Sequence, residues 1–127
     1  MENATLIVLL ALLQYIFFTG RTGLARGKFK IDAPACSGDE NFDRVFRVQQ
    51  NTMEQLVIMI PASFAFAHYV SELWVLVPGA AFIIGRFLYS REYLKDPKTR
   101  VPGMGLTLAA NATLVLGALG GLLKGFF

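Results

Sequence analysis

The sequence predicts an all-α fold, an integral membrane four-helix bundle. Three observations predict it. Of the 127 residues, 54% are hydrophobic and only 17% charged, with mean hydropathy +0.50. A soluble domain carries about 25% charged residues, so this chain has too little polar surface to stay in water. The charges are also segregated, leaving uncharged runs at Asn3–Gly20, Gln55–Ser71, Leu73–Gly85 and Val101–Leu123. Finally, a bilayer core of ~30 Å needs ~20 helical residues, so four crossings take about 80 positions and leave only short connections. The whole chain, residues 1–127, is then one domain.

Taken in order, the first helix is rich in Leu, Ile, Val and Phe, with Gln14 as its polar interruption. The stretch from Arg21 to Asp39, with Gly23, Gly27, Pro34 and Gly38, reads as a loop. Helical patterning resumes near Asp43, ahead of the second apolar run, so the second helix carries polar turns into the cytoplasm. Pro61 is expected to kink it. Ser71-Glu72 makes a tight turn. The third apolar run is short, but Arg86 and Arg91 can snorkel from its end, and the helix continues to about Leu94. Asp96-Pro97 ends it, because the residue before proline avoids helical angles. Pro102 suits the first turn of the fourth helix. That helix carries Gly105, Ala109, Thr113, Gly117, Gly121 and Gly125 at every fourth position. Such a ridge lets another helix approach closely, within one subunit or between two.

The charge distribution predicts orientation. Eleven of the twelve Lys and Arg residues lie in Arg21–Glu54 and Arg86–Arg100, on one face if the helices alternate; only Lys124 lies outside. The positive-inside rule puts both basic segments in the cytoplasm and both termini outside. A net charge of +3 and a pI near 9.2 do not imply nucleic acid here, since these cations flank apolar spans and meet lipid headgroups. Met1-Glu2 is not a basic leader, so no cleavable signal peptide is expected. The single cysteine, Cys36, reads as a free thiol in a loop. His68, deep in the second helix, reads as a buried hydrogen-bonding residue. No metal-ligand spacing, phosphate-binding loop or Ser-His-Asp set is present in the sequence.

Ionisable residues close to hydrocarbon are expensive and face a partner or a polar cavity. Arg47, Asn51 and Glu54 share one face of the second helix, at spacings of four and three, with Gln49, Gln50 and Gln55 in the same turns. Arg86, Tyr89 and Tyr93 repeat the pattern on the third helix. A cavity so lined suits a small zwitterion with several carboxylates and one amine, since arginine grips carboxylates and Glu54 can take an ammonium. The alternative is an Arg–Glu pair that locks helices together, with tyrosines anchoring depth at the interface.

Phe42-Asp43-Arg44-Val45-Phe46-Arg47-Val48-Gln49-Gln50-Asn51-Thr52-Met53-Glu54-Gln55 resembles the signature of the membrane-associated proteins in eicosanoid and glutathione metabolism (MAPEG). The likeness covers essentially the whole chain and is to a bacterial-type microsomal glutathione transferase resembling the leukotriene C synthase branch. It implies a homotrimer of four-helix bundles with glutathione, a co-substrate, bound between subunits on the cytoplasmic side. It also implies that Arg47, Gln49, Asn51 and Glu54, with Tyr89 and Tyr93, contact glutathione. Arg26 matches one of two adjacent basic residues near the thiol, and Arg100 the arginine that stabilises the thiolate. Gly27 departs from the pattern where the second basic residue would stand, and Gln55 where a tyrosine would. The implied activity is a glutathione transferase or peroxidase acting on a hydrophobic electrophile from the lipid phase, by proximity at one interface. Two other classes stand against it. One is a non-catalytic lipid-binding or lipid-presenting protein of the same fold. The other is a small channel, which would need polar residues through the full membrane depth rather than at one end.

Overall fold

A computed structural model describes residues 1–95 and 101–125. They form four helices: α1 (Glu2–Phe29), α2 (Glu40–Tyr69), α3 (Leu76–Lys95) and α4 (Val101–Lys124). The termination at Asp96-Pro97 lies outside the described residues.

Contacts between helices define an up-down-up-down bundle. Asn3 meets Glu72, Gln14 meets Ile83 and Arg21 meets Ser90, each pair 69 residues apart. That constant offset means α1 and α3 run parallel, so α2 between them runs antiparallel to both. Gly85 lies against Thr107 and Gly103 against Tyr89, which makes α3 and α4 antiparallel. Both basic stretches therefore fall at one end of the bundle, and Met1 lies beside the α2–α3 turn at the other, its amine 2.6 Å from Glu72.

The predicted loop from Arg21 is corrected: α1 continues through Phe29, and the connection spans residues 30–39. A mid-helix glycine costs about 1 kcal/mol relative to alanine, which is the signal that read as a loop. Here Gly20, Gly23 and Gly27 face open space, while Phe18, Thr22 and Ala25 on the other side are buried. Packing of that side outweighs propensity, and Arg26 and Lys28 in the last turn favour the helix dipole. Lys30 closes the helix in a left-handed conformation, φ 58°, and the N–H of Ile31 donates to Arg26 O at 3.0 Å.

Asp39 caps α2, its carboxylate accepting from the N–H of Asn41 at 2.8 Å and of Phe42 at 3.3 Å. The helix runs on past Pro61 to Tyr69. His68 is exposed, edge-on to Tyr69, and not buried as expected; it sits in the last turn, on the outward side. α3 starts three residues later than its apolar run, after a turn in which Ser71 Oγ accepts from the Trp74 N–H at 3.2 Å.

By length and composition, α1 and α4 could each cross a membrane alone. The apolar part of α2 is bounded by Glu54 and His68, and α3 carries Arg86, so these two owe their place to the bundle. Leu13, Ile16, Leu24, Val57, Phe87 and Leu116 are among many large apolar side chains that face outward. A surface of that kind suits lipid, where it carries no hydrophobic penalty.

The small-residue ridge of α4 divides. Gly117 and Gly121 pack on Phe66 and Tyr69 of α2, whereas Gly105, Ala109 and Thr113 face outward. The tightest helix approach uses Gly103 and Gly85, where α4 backbone meets α3 backbone.

Candidate functional site

The site builds from the capped start of α2. Behind Asp39, Glu40 and Arg44 pair at 2.7 Å across one turn. Two turns on, Arg47 Nη1 donates to Glu54 Oε1 at 3.2 Å; each side chain is half-exposed, 49% and 50%. A pair so placed adds at most about 1 kcal/mol. Both partners are consequently available to exchange each other for an ionic ligand at little cost.

Asn51, between them on the same face, turns inward. Its Oδ1 accepts from Arg86 Nη1 at 2.6 Å. Arg86 is completely buried, 0% exposed, and its guanidinium joins three helices. Nη1 also donates to Thr52 Oγ1 at 3.3 Å, Nε to Thr107 Oγ1 at 3.1 Å, and Nη2 approaches the Met104 sulfur at 3.4 Å. Each threonine hydroxyl spends its own proton on its helix, Thr52 on Val48 O at 2.7 Å and Thr107 on Gly103 O at 2.9 Å. Only acceptor lone pairs remain for the arginine. The cation also lies 4.4 Å from the Tyr89 ring centroid. Among the described residues no carboxylate pairs with it.

Tyr89 is buried and stacks on Tyr93, ring centroids 5.4 Å apart at 14°. The structure thus links Asn51, Arg86, Tyr89 and Tyr93 in one chain of contacts, while Arg47 and Glu54 pair with each other on the exposed side of the same α2 segment. Gln49 and Arg26 lie elsewhere. Gln49 Nε2 reaches Tyr15 Oη at 3.5 Å and Thr19 Oγ1 at 3.4 Å, on the α1 side of α2. Two residues turn a helix by about 200°, so Gln49 and Arg47 occupy opposite faces. Arg26 donates to Ala35 O at 2.6 Å and lies over Phe42, 5.2 Å from its centroid. Arg100 lies outside the described residues.

The two departures have local consequences. At Gly27 a side chain would meet nothing, so the missing cation leaves open surface. Gln55 is held by α4, its Oε1 accepting from Asn111 Nδ2 at 3.0 Å. A groove of about 500 Å³ lies away from the Arg47–Glu54 face, between the ends of α1, α2 and α3, lined by Arg21, Lys28, Arg44 and Leu94. A second groove, about 360 Å³, begins at Gln55 and runs between α2 and α4 over Ile58, Leu108, Val115 and Leu116.

Sequence spacing located Arg86 but not Thr52 and Thr107, which hold it. Their signal is weak, since threonines in apolar helices also bond only to their own backbone.

Comparisons with known proteins give the family. Over 114 residues the chain is 38% identical to an uncharacterized protein of Synechocystis, covering 90% of this chain and 83% of that one. It is 36% identical over 115 residues to the microsomal glutathione S-transferase 2 of Homo sapiens, covering 90% and 78%. It is 27% identical over 120 residues to the leukotriene C4 synthase of Rattus norvegicus, covering 94% and 80%. The sequence profile of the MAPEG family matches residues 4–120, nearly the whole bundle together with the α2 face just described, and the chain belongs to that family.

Proposed function

We propose that this protein is a membrane-bound glutathione transferase, with glutathione peroxidase chemistry as a second outlet. The observation that carries the reading is the half-exposed Arg47–Glu54 pair flanking Asn51, in a MAPEG chain whose relatives are named for glutathione transfer. Glutathione offers two carboxylates and one ammonium. Arg47 takes a carboxylate, Glu54 the ammonium, and the Tyr89–Tyr93 stack bounds the peptide.

Gln49 and Arg26 serve the same ligand from another copy. Opposite faces of α2 cannot meet one tripeptide within a single chain, so neighbouring copies each supply one face. Three copies is the number that the family resemblance supports. A stable, active monomer in native mass spectrometry overturns this part. The basic end of the bundle is cytoplasmic by the positive-inside rule. Exposed Cys36 then reacts with a membrane-impermeant thiol reagent only after cells are opened; labelling in intact cells reverses the orientation.

The chemistry needs a thiolate. A thiol of pKa ~8.5 is mostly protonated at neutral pH, and a nearby permanent cation lowers that value. Arg100 is assigned this role. The thiolate forms a carbon–sulfur bond to the electrophile and expels its leaving group. With a hydroperoxide, two glutathione thiols become a disulfide while the hydroperoxide becomes an alcohol and water. The groove running from Gln55 between α2 and α4 gives a lipid-phase electrophile an apolar route that ends one residue from Glu54. Apolar walls discriminate weakly, so substrate tolerance is broad.

The test is purified, detergent-solubilised protein with glutathione and either a chlorinated aromatic electrophile or a lipid hydroperoxide. Product is expected from wild type. Arg100→Ala is expected to bind glutathione yet lose the ultraviolet thiolate band and most turnover. Wild-type protein giving no product from either electrophile overturns the reading in favour of a non-catalytic lipid-binding protein.

A further inference from the structure

Arg86 is buried more completely than any other charged side chain described, so it does not snorkel to the interface as its place at the end of the apolar run predicts, and the thiolate chemistry does not use it. We infer that Arg86 is a positioning residue for the glutathione site: it fixes the side-chain amide of Asn51 so that its Nδ2 donates to the bound tripeptide. The inference rests on the functional reading above and adds a residue to it.

An asparagine amide has two ends, an acceptor oxygen and a donor NH2, and in isolation either could face inward. A guanidinium has only donors. With Arg86 Nη1 2.6 Å away, the oxygen must face inward, because the opposite orientation would set two donors against each other. Asn51 is left with Nδ2, which has no hydrogen-bond partner among the described residues. Asn51 also stands between Arg47 and Glu54 in sequence and on their helical face. A donor there adds to Arg47 in meeting a carboxylate or a peptide carbonyl.

Arg86 is itself over-determined. Thr52 on α2 and Thr107 on α4 offer it only lone pairs, Tyr89 offers its ring face, and the Gly103 and Gly85 contacts hold α4 close enough for Thr107 to reach. A fork anchored on two threonine acceptors and a ring face holds the amide to one orientation. A lysine at this position keeps the charge but has one nitrogen, which cannot meet Asn51 and Thr107 along separate arms.

The experiment measures glutathione dissociation constant and thermal midpoint on full-length, detergent-solubilised protein for Asn51→Asp, Asn51→Ala, Arg86→Lys and the Asn51→Ala/Arg86→Lys double variant. Asn51→Asp keeps an acceptor for Arg86 and removes the donor. It should hold or raise the thermal midpoint and weaken glutathione binding at least about tenfold, the factor expected for one lost hydrogen bond to a charged group. Arg86→Lys should also weaken binding severalfold in the wild-type background, but should add nothing in the Asn51→Ala background.

A merely structural Arg86 predicts otherwise: its loss lowers the thermal midpoint, while any effect on affinity is the same with or without Asn51. Equal losses in both backgrounds, or an Asn51→Asp variant that binds like wild type, overturn the inference. If Arg86→Lys does not fold, Asn51→Asp alone decides. Wild-type protein that binds no glutathione removes the functional reading and this inference with it. Wild-type binding with additive losses removes this inference alone.

Discussion

The polar end of α2 has an inward and an outward side, and each carries an arginine. Arg47, outward, is half-exposed and answers a carboxylate; Arg86, reached from the inward side, is wholly buried and answers only neutral acceptors. In water the ion pair would look the stronger of the two. The structure teaches the reverse, because solvent screens the exposed pair while burial makes every unpaired group at Arg86 expensive. The outward side can release its partners to a ligand, and the inward side keeps the ligand groups in place.

The largest expected effect comes from breaking the inward side. Arg86→Leu strands Asn51, Thr52 and Thr107 without their donor, and stability should fall by about 3 kcal/mol, the scale of charged hydrogen bonds lost in a dry interior. Thermal unfolding in detergent measures it; a loss below 1 kcal/mol would mean that Arg86 is no more integral than Arg47.

Two glycines on α4 sharpen the same contrast. A Cβ at Gly103 would strike the Tyr89 backbone, so Gly103→Ala should push α4 away from α3 and cost about 1–3 kcal/mol. At Gly105, facing outward, a Cβ meets nothing, and Gly105→Ala should gain up to about 1 kcal/mol from helix propensity. Equal effects at the two positions would contradict the inward and outward assignment.

The smallest stability effect belongs to the outward side. Glu54→Gln should change stability by no more than about 1 kcal/mol. It should nevertheless weaken glutathione affinity with a smaller loss of maximal rate, because an ammonium contact is made equally in ground and transition states. A large fall in thermal midpoint with unchanged affinity would make the pair a helix lock instead.

Periodicity and charge placement made much of this legible. The four apolar runs, a helix resuming near Asp43 and the shared face of Arg47, Asn51 and Glu54 all follow from the 3.6-residue repeat and from the cost of charge near lipid. Two features read wrongly for one reason. Gly23 and Gly27 looked like loop punctuation, and His68 looked buried, because local composition does not say which side of a helix a neighbour covers.

By itself, then, the sequence determined an all-α membrane chain, its single basic end and the family signature on α2, since each depends on residue type and spacing along one helix. Only the tertiary structure decided that α1 extends to Phe29, that the α4 ridge splits between inside and outside, and that Gln49 turns away from Arg47 towards α1. It alone also decided that Arg86 closes on Asn51 across α2 and α3 with Thr107 from α4. These depend on distances between residues far apart in the chain, which close packing sets and no repeat along one strand of sequence encodes.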